Sequence, residues 1–181
     1  MSAAAQALRP RRAEAFRRRL RMWLAVLAAA TAAAWAALEL LPLVTGGVRL
    51  AVNVTDSLPG TLYLVVPLGP EERLARGDRI AFLPPPNPTY PEGMPFIKIV
   101  MGLPGDPVRW EGRTIVVAGR ALGAAKDRAL DGRPLARGPE GVIPEGRYFV
   151  WTPHEDSYDS RYAEIGWIPR SRILGRARRL L

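Results

Sequence analysis

The sequence contains no cysteine, one histidine and only two lysines among its 181 residues. The absence of cysteine excludes disulfide bonds, a thiol nucleophile and Cys-ligated zinc or iron–sulfur sites. A single histidine, His154, excludes sites that need several histidine ligands, so no metal and no cofactor is predicted. The two lysines, Lys98 and Lys126, are exceptional because the other basic residues are all arginine. Of these two residue types, only lysine is able to lose its proton when it is buried.

The formal net charge of +9 suggests a nucleic-acid partner at first sight, but the charge is concentrated near the two ends. Residues 1–21 carry seven arginines and one glutamate, and residues 170–181 carry five arginines and no acid. The stretch 45–169 has 14 basic and 15 acidic residues, so it offers no uniformly basic face and no nucleic-acid partner is predicted. We expect 170–181 to be a solvated tail, with contact to lipid head groups as the alternative.

The apolar run 22–44 directly follows the basic segment 1–21. As a helix it spans roughly 34 Å, which exceeds a bilayer core of about 30 Å. We therefore predict a single-pass anchor in the inner (cytoplasmic) membrane, with the lipid bilayer as a partner. The preceding arginines predict that the N-terminus lies in the cytoplasm and that the domain 45–181 is periplasmic or otherwise extracytoplasmic. A cleaved signal peptide and a buried globular helix are the alternatives.

The exported part, 45–181, has the pattern of a mainly β domain. Short apolar or alternating runs recur, separated by turn signals such as Leu-Pro-Gly-Asp at 103–106. Residues 84–95 are predicted to be a proline-rich loop, and 119–143 an inserted hairpin or lobe. Strands are predicted at 47–54, 61–66, 78–83, 96–101, 108–110, 113–117, 147–151 and 171–174.

Two of these segments contain a candidate nucleophile and a candidate base. Ser57 lies in the turn-forming sequence NVTDSLPG at 53–60, where a plain β-turn with solvated hydroxyls is the alternative. Lys98 lies in the apolar run 96–101. If its amine is buried, its pKa falls and it becomes a competent base for a serine hydroxyl. The alternative is a surface lysine that keeps its amine in water.

The polar segment 152–162, TPHEDSYDSRY, is the third candidate. Ser157 is able to accept a hydrogen bond from an amine, and Asp159 and Arg161 are expected to form an ion pair. A polar loop without catalytic function is the alternative. A triad of Ser57, His154 and an aspartate is disfavoured, because no G-x-S-x-G nucleophile elbow is present.

Together these segments resemble the type I signal peptidase family S26, membrane-anchored Ser–Lys proteases. IKIVMGLPGD resembles the lysine box of that family and SYDSRY its C-terminal box. N-x-T-x-S-L-P followed by Gly and LY is most similar to the conjugative-transfer branch, the TraF-type peptidases. The resemblance implies an antiparallel β domain of coiled sheets with one N-terminal transmembrane helix. It also implies removal of signal peptides from exported precursors, and its conjugative-transfer branch implies a pilin precursor as the substrate.

The resemblance assigns catalytic roles to two residues, and oxyanion or supporting roles to two more. Ser57 matches the nucleophile and Lys98 the general base. Thr55 matches a hydroxyl that lines the oxyanion hole. Ser157 matches the serine that contacts the lysine amine.

The resemblance also assigns supporting and substrate-binding residues. Asp159 and Arg161 match a pair that supports the site, although the conjugative branch gives an acidic residue a catalytic part. Leu58, Pro59 and Phe96 are predicted to bind substrate. The apolar surface near Leu58 and Phe96 is expected to face the membrane.

The sequence departs from the family at two points. The branch usually has S-x-P-x-G, whereas Gly60 directly follows Pro59, and Thr-Pro-His at 152–154 replaces the usual G-D-N. A housekeeping signal peptidase I and a non-catalytic membrane-tethered scaffold of an envelope complex remain alternative functions. A self-cleaving repressor is disfavoured, because it needs a DNA-binding helix-turn-helix.

Overall fold

A computed structural model describes the backbone of residues 3–44, 46–53, 55 and 57–181, and the side chains of these ranges except at 3–15, 38 and 41–44. It divides into two compact units, Met1–Gly46 and Gly47–Leu181. The end of the predicted span, 41–44, and most of the basic segment 1–21 lie outside the described side chains.

The first unit is a single helix, α1, Ala3–Val44. Within it, Phe16–Ala37 is long and apolar enough to cross a membrane by length and composition. Its described large side chains are exposed, with Trp23 at 65% and Trp35 at 69%. A helix that is apolar and unburied has its surface free for lipid, so α1 is a candidate membrane span. The alternative of a buried core helix finds no support in the described side chains.

The second unit contains two antiparallel sheets and a short 3-10 helix, η1, Arg170–Arg172. The larger sheet has the strand order β1-β2-β11-β3-β4-β9-β10, and the smaller sheet the order β7-β6-β5-β8. Their strands are β1 Arg49–Val52, β2 Leu62–Val66, β3 Arg79–Phe82, β4 Phe96–Gly102, β5 Pro107–Glu111, β6 Thr114–Val117, β7 Arg120–Ala124, β8 Gly141–Val142, β9 Arg147–Trp151, β10 Ile168–Pro169 and β11 Ile173–Arg179.

The predicted fold class, a mainly β domain preceded by one helix, is confirmed. Each predicted strand has a counterpart in the structure, apart from residue 54, which lies outside the described residues. Strands β7, β8 and β10 were not predicted. The segment 119–143 contributes β7 and β8 to the smaller sheet, and 84–95 forms the loop between β3 and β4.

The prediction of a solvated tail at 170–181 is wrong. Strand β11 lies between β2 and β3 and pairs with both. Its small residues Gly175 and Ala177 are buried, whereas Arg176 between them pairs with Glu72 and Asp78. This alternation is typical of a half-buried strand, and the density of arginine concealed it.

Strand β4 ends in a turn that leads the chain into the smaller sheet. The Asp106 amide donates to Leu103 O at 3.0 Å, Pro104 takes the second position and Gly105 has a φ of +88°. These are the properties of a type II β-turn, which needs a glycine at its third position. The Asp106 carboxylate also accepts from the Leu103 amide at 2.6 Å, so it closes the turn from both sides.

Strand β4 has a buried face that includes a charged residue. Phe96, Lys98 and Val100 alternate on this face, and Phe96 and Val100 belong to the main apolar core. Because β4 lies between β3 and β9, with Ile80 opposite Lys98, the lysine is flanked by strands on both sides.

We expect Gly102→Ala to lower the free energy of unfolding by about 1–3 kcal/mol, as overpacked cores do. A Cβ at Gly102 would come within 2.9 Å of side-chain atoms of Ile143, Phe149 and Val117. Chemical denaturation measures the loss. Gly69→Ala is the matched control, since its nearest neighbour is Glu72 Cβ at 3.8 Å. Equal losses in the two variants would contradict the close packing at Gly102.

Candidate active site

Ser57 lies in the segment between β1 and β2, and Asn53 organises this segment. Asn53 Nδ2 donates to Leu58 O at 2.9 Å and to Gly60 O at 3.0 Å. Its Oδ1 accepts from the Thr55 amide at 3.3 Å and from Thr55 Oγ1 at 3.1 Å. The side-chain amide of Asn53 therefore forms hydrogen bonds with residues before and after Ser57 in the turn. Ser57 itself is half-buried.

Sequence reasoning assigned no role to Asn53, although it stands in the N-x-T-x-S motif. The residue type itself could have indicated this role, because asparagine side chains commonly form hydrogen bonds with the backbone of a following turn. A second support comes from the buried Tyr63, whose hydroxyl donates to Pro59 O at 2.5 Å. The predicted oxyanion residue Thr55 is exposed, and its Oγ1 is 2.9 Å from Ser57 Oγ.

Lys98 has a buried amine with one polar partner among the described residues. The residue is 5% exposed, and Nζ donates to Ser157 Oγ at 2.9 Å. Nζ lies 5.8 Å from the centre of the Phe96 ring. Burial lowers the pKa of Lys98 to about 8, the charge of Asp159 raises it and the charge of Arg161 lowers it. At this pKa about a tenth of the amines are neutral at pH 7.

The loop 152–162 is held by a buried ion pair. Arg161 Nε donates to Asp159 Oδ1 at 2.9 Å and Nη2 to Oδ2 at 3.0 Å, and the two side chains are 2% and 0% exposed. The guanidinium also donates to the carbonyls of Ala124, His154 and Ser157. Such a bidentate pair fixes geometry as well as charge. It holds the backbone of Ser157, whose hydroxyl bonds Lys98.

A groove of about 620 Å³ brings together Ser57, Lys98, Ser157 and Thr55. Its other walls are largely apolar and come from β1, the proline-rich loop 84–95, and Leu130, which is 88% exposed. Ser57 Oγ and Lys98 Nζ have separate hydrogen-bond partners in the structure. Catalytic hydrogen bonds are often loose until substrate binds, so this arrangement is compatible with chemistry between them.

The predicted substrate-binding residues are not all in this groove. Its lining, among the described residues, includes Phe96 but neither Leu58 nor Pro59. Leu58 and Phe96 are 4% and 7% exposed, so their own side chains offer little surface to a membrane, and the orientation of the apolar surface near them stays a prediction. The apolar groove residues that stay exposed on β1 are Leu50 and Val52, at 50% and 69%.

His154 lines the groove but has a backbone partner. Its Nδ1 accepts from the Asp156 amide at 3.2 Å. No described carboxylate bonds its ring, so nothing in the described part of the chain orients His154 as a triad base towards Ser57. The disfavoured triad gains no support from this geometry.

Known proteins resemble the chain over most of its length. The family described as signal peptidase, peptidase S26 matches residues 20–181. A conjugal transfer protein TraF of Agrobacterium fabrum is 37% identical over 150 residues, which cover 74% of this chain and 81% of that protein. A signal peptidase I of Leptolyngbya laminosa is 34% identical over 108 residues, covering 56% of this chain and 50% of that protein. A solved signal peptidase I of Enterococcus faecalis is 24% identical with a TM-score of 0.37, covering 57% and 96% of the two chains.

We expect Arg161→Met to lower the free energy of unfolding by about 3–5 kcal/mol, because it leaves a buried Asp159 carboxylate without its partner. The exposed ion pair of Arg109 and Glu111, at 2.6 Å, provides the matched control. Arg109→Met should cost at most about 1 kcal/mol. Chemical denaturation of the two variants measures both values, and similar losses would mean that burial of the pair is unimportant.

Proposed function

This chain belongs to the signal peptidase family, peptidase S26, and on that premise we propose that it is a membrane-anchored serine endopeptidase with a Ser–Lys dyad. Its substrates are exported precursors with a signal peptide. The likeness to conjugal transfer proteins TraF favours the pilin precursor of a conjugative transfer system. The observation that carries the proposal is the buried Lys98 amine, whose pKa is lowered to about 8 in the groove that Ser57 also lines.

In the proposed reaction, neutral Lys98 accepts the proton of Ser57 Oγ as that oxygen attacks the scissile carbonyl. Thr55 and backbone N–H groups stabilise the oxyanion that forms, and one such donor is commonly worth about 3 kcal/mol. Lys98 then protonates the leaving amine, which leaves Ser57 acylated. Water, deprotonated by Lys98, attacks the acyl group and restores both residues.

The remaining polar residues hold the base in place. The hydroxyl of Ser157 accepts one N–H of Lys98, which fixes the direction of the amine. Both oxygens of Asp159 accept from Arg161, and Oδ2 also accepts from the Thr152 amide at 3.3 Å. A carboxylate engaged in this way holds the loop and has both oxygens occupied, so we assign Asp159 to support of the site.

In this proposal one element anchors the protein in the membrane and another binds the substrate. Helix α1 is the anchor, with its N-terminus in the cytoplasm and the β domain in the periplasm. The precursor binds as an extended chain along the outer edge of β1, which is the first strand of the larger sheet and lines the groove. Small side chains at the first and third positions before the cut fit the family.

A housekeeping signal peptidase I is the second candidate, favoured by the likeness to the Leptolyngbya laminosa protein. Mass spectrometry separates the two functions. Candidate pilin precursors and a general secretory precursor are incubated with the enzyme, and the rates of cleavage are compared. Preference for the secretory precursor would favour the housekeeping function, and cleavage of neither would favour the scaffold.

Ser57→Ala and Lys98→Ala should each reduce cleavage of a precursor by at least about 10³-fold, as loss of a catalytic nucleophile or base does. The matched controls are Ser171→Ala, at an exposed serine, and Lys126→Ala, at the only other lysine. Initial rates of precursor cleavage measure the effect. Undiminished cleavage by Ser57→Ala or Lys98→Ala would exclude the dyad.

The titration of Lys98 should appear in the pH dependence of activity. Because the neutral amine is the base, kcat/KM should rise with pH, with a midpoint near 8. A midpoint near 10.5, the ordinary value for lysine, would contradict a desolvated base.

The same titration predicts a change in stability. Between pH 8 and 10.5 the unfolded chain holds the Lys98 proton and the folded chain does not. The free energy of unfolding should therefore rise with pH across this window, by about 3 kcal/mol in total. Lys98→Met should lack this rise. Chemical denaturation of the wild type and of Lys98→Met at a series of pH values measures it, and the difference between the two proteins removes the contribution of the tyrosines, which also titrate in this range. Parallel series would contradict the lowered pKa.

A further inference from the structure

Residues 179–181 extend the pairing of β11 with β2 as far as the turn that carries Ser57. In the strands themselves Arg179 lies opposite Tyr63. Beyond them, Leu180 N donates to Leu62 O at 2.8 Å, and Thr61 N donates to Leu181 O at 3.0 Å. The backbone of 179–181 is thus bonded to the residues that directly follow the turn.

Gly60 brings the turn itself against two of these residues, Arg179 and Leu181. Its φ is +103°, and a Cβ there would lie 2.6 Å from Leu181 O, 2.7 Å from Arg179 Cδ and 2.9 Å from Arg179 Cγ. Only a residue without a side chain allows this approach. The glycine that departs from S-x-P-x-G, directly after Pro59, is the residue that Arg179 and Leu181 approach.

Thr61 is bonded on both sides. Its carbonyl accepts from the Asn53 amide at 2.8 Å, while its amide donates to Leu181 O. The Ser57 segment therefore lies between the end of β1 on one side and residues 179–181 on the other. The side chain of Asn53 forms hydrogen bonds with residues inside this segment. Of all these contacts, only those of 179–181 come from a distant part of the sequence.

We propose that residues 179–181 are a positioning element of the active site, which fixes the turn so that the Ser57 hydroxyl stays in the groove. The proposal rests on the proposed role of Ser57 as nucleophile. A displacement of about 1 Å in a reacting group costs on the order of 10²-fold in rate, so a disturbed backbone contact at Gly60 should lower kcat. Binding of the extended precursor involves other residues, so KM should change little.

Gly60→Ala tests the contact, and Gly77→Ala is its matched control. Both glycines have a positive φ, +103° and +96°, so both variants acquire backbone strain. A Cβ at Gly77 meets nothing within 4 Å. We expect Gly60→Ala to lower kcat by about 10- to 100-fold with KM within about twofold. Gly77→Ala should keep its activity within about twofold, and its loss of thermal stability reflects backbone strain alone. Equal losses of kcat in the two variants would overturn the proposal.

The double variant Gly60→Ala with Arg179→Ala provides a rescue test. Arg179→Ala removes two of the three atoms nearest to a Cβ at Gly60. We therefore expect the double variant to recover at least about fivefold in kcat over Gly60→Ala, a non-additive effect typical of groups in contact. The pH midpoint near 8 should stay unchanged in all variants, because Lys98 is untouched. Absence of recovery, or a shifted midpoint, would count against positioning of Ser57.

Hydrogen exchange gives a readout that does not need activity. Deletion of residues 180–181 removes the acceptor of the Thr61 amide. Exchange at Thr61 should become at least tenfold faster, whereas exchange at Val100, whose amide donates to Asp78 O, should be unchanged. An unchanged rate at Thr61 would overturn the proposal. If the intact protein cleaves no precursor, the proposed function fails, and the exchange rates still decide whether 179–181 hold the turn.

Discussion

The proposed active site depends on the burial of one amine. Lys98 stands on the buried face of β4 between Phe96 and Val100, and desolvation there is the largest influence on its pKa. The cost of placing an amine in an apolar sheet is reduced when the amine becomes neutral. An amine that is easily neutral is also one that can accept a proton. The same burial that makes Lys98 unfavourable for folding is therefore what makes it suitable as the proposed base.

The loop 152–162 limits the opposing influence of a nearby carboxylate. Asp159 raises the pKa of Lys98, and a free carboxylate close to the amine would favour its charged form. Arg161 neutralises Asp159 through two hydrogen bonds and itself lowers the pKa of Lys98. The buried pair thus adds little net charge next to the amine while it fixes the backbone of Ser157. Family membership and this electrostatic arrangement support the same proposed chemistry.

The Ser57 turn depends on contacts of a different kind. Apart from the buried Leu58, its described residues are partly or fully exposed, so hydrogen bonds contribute much of its geometry. Asn53 and Tyr63 bond its carbonyls, and 179–181 pack against Gly60 and bond Thr61. The nucleophile segment is therefore held mainly by hydrogen bonds and a close backbone approach, and the proposed base mainly by a core.

Much of the fold and the family could be predicted from the sequence, because strand alternation, turn chemistry and the order of the motifs are local properties. The strand of Lys98, the Leu-Pro-Gly-Asp turn and the family resemblance are confirmed. The central place of β11, the partners of Asn53 and the burial of Leu58 were missed. Each depends on pairing or packing in three dimensions. The sequence alone determined that Lys98 stands in an apolar strand. Only the tertiary structure decided that its amine is desolvated, because neighbouring strands and a loop 59 residues away surround it.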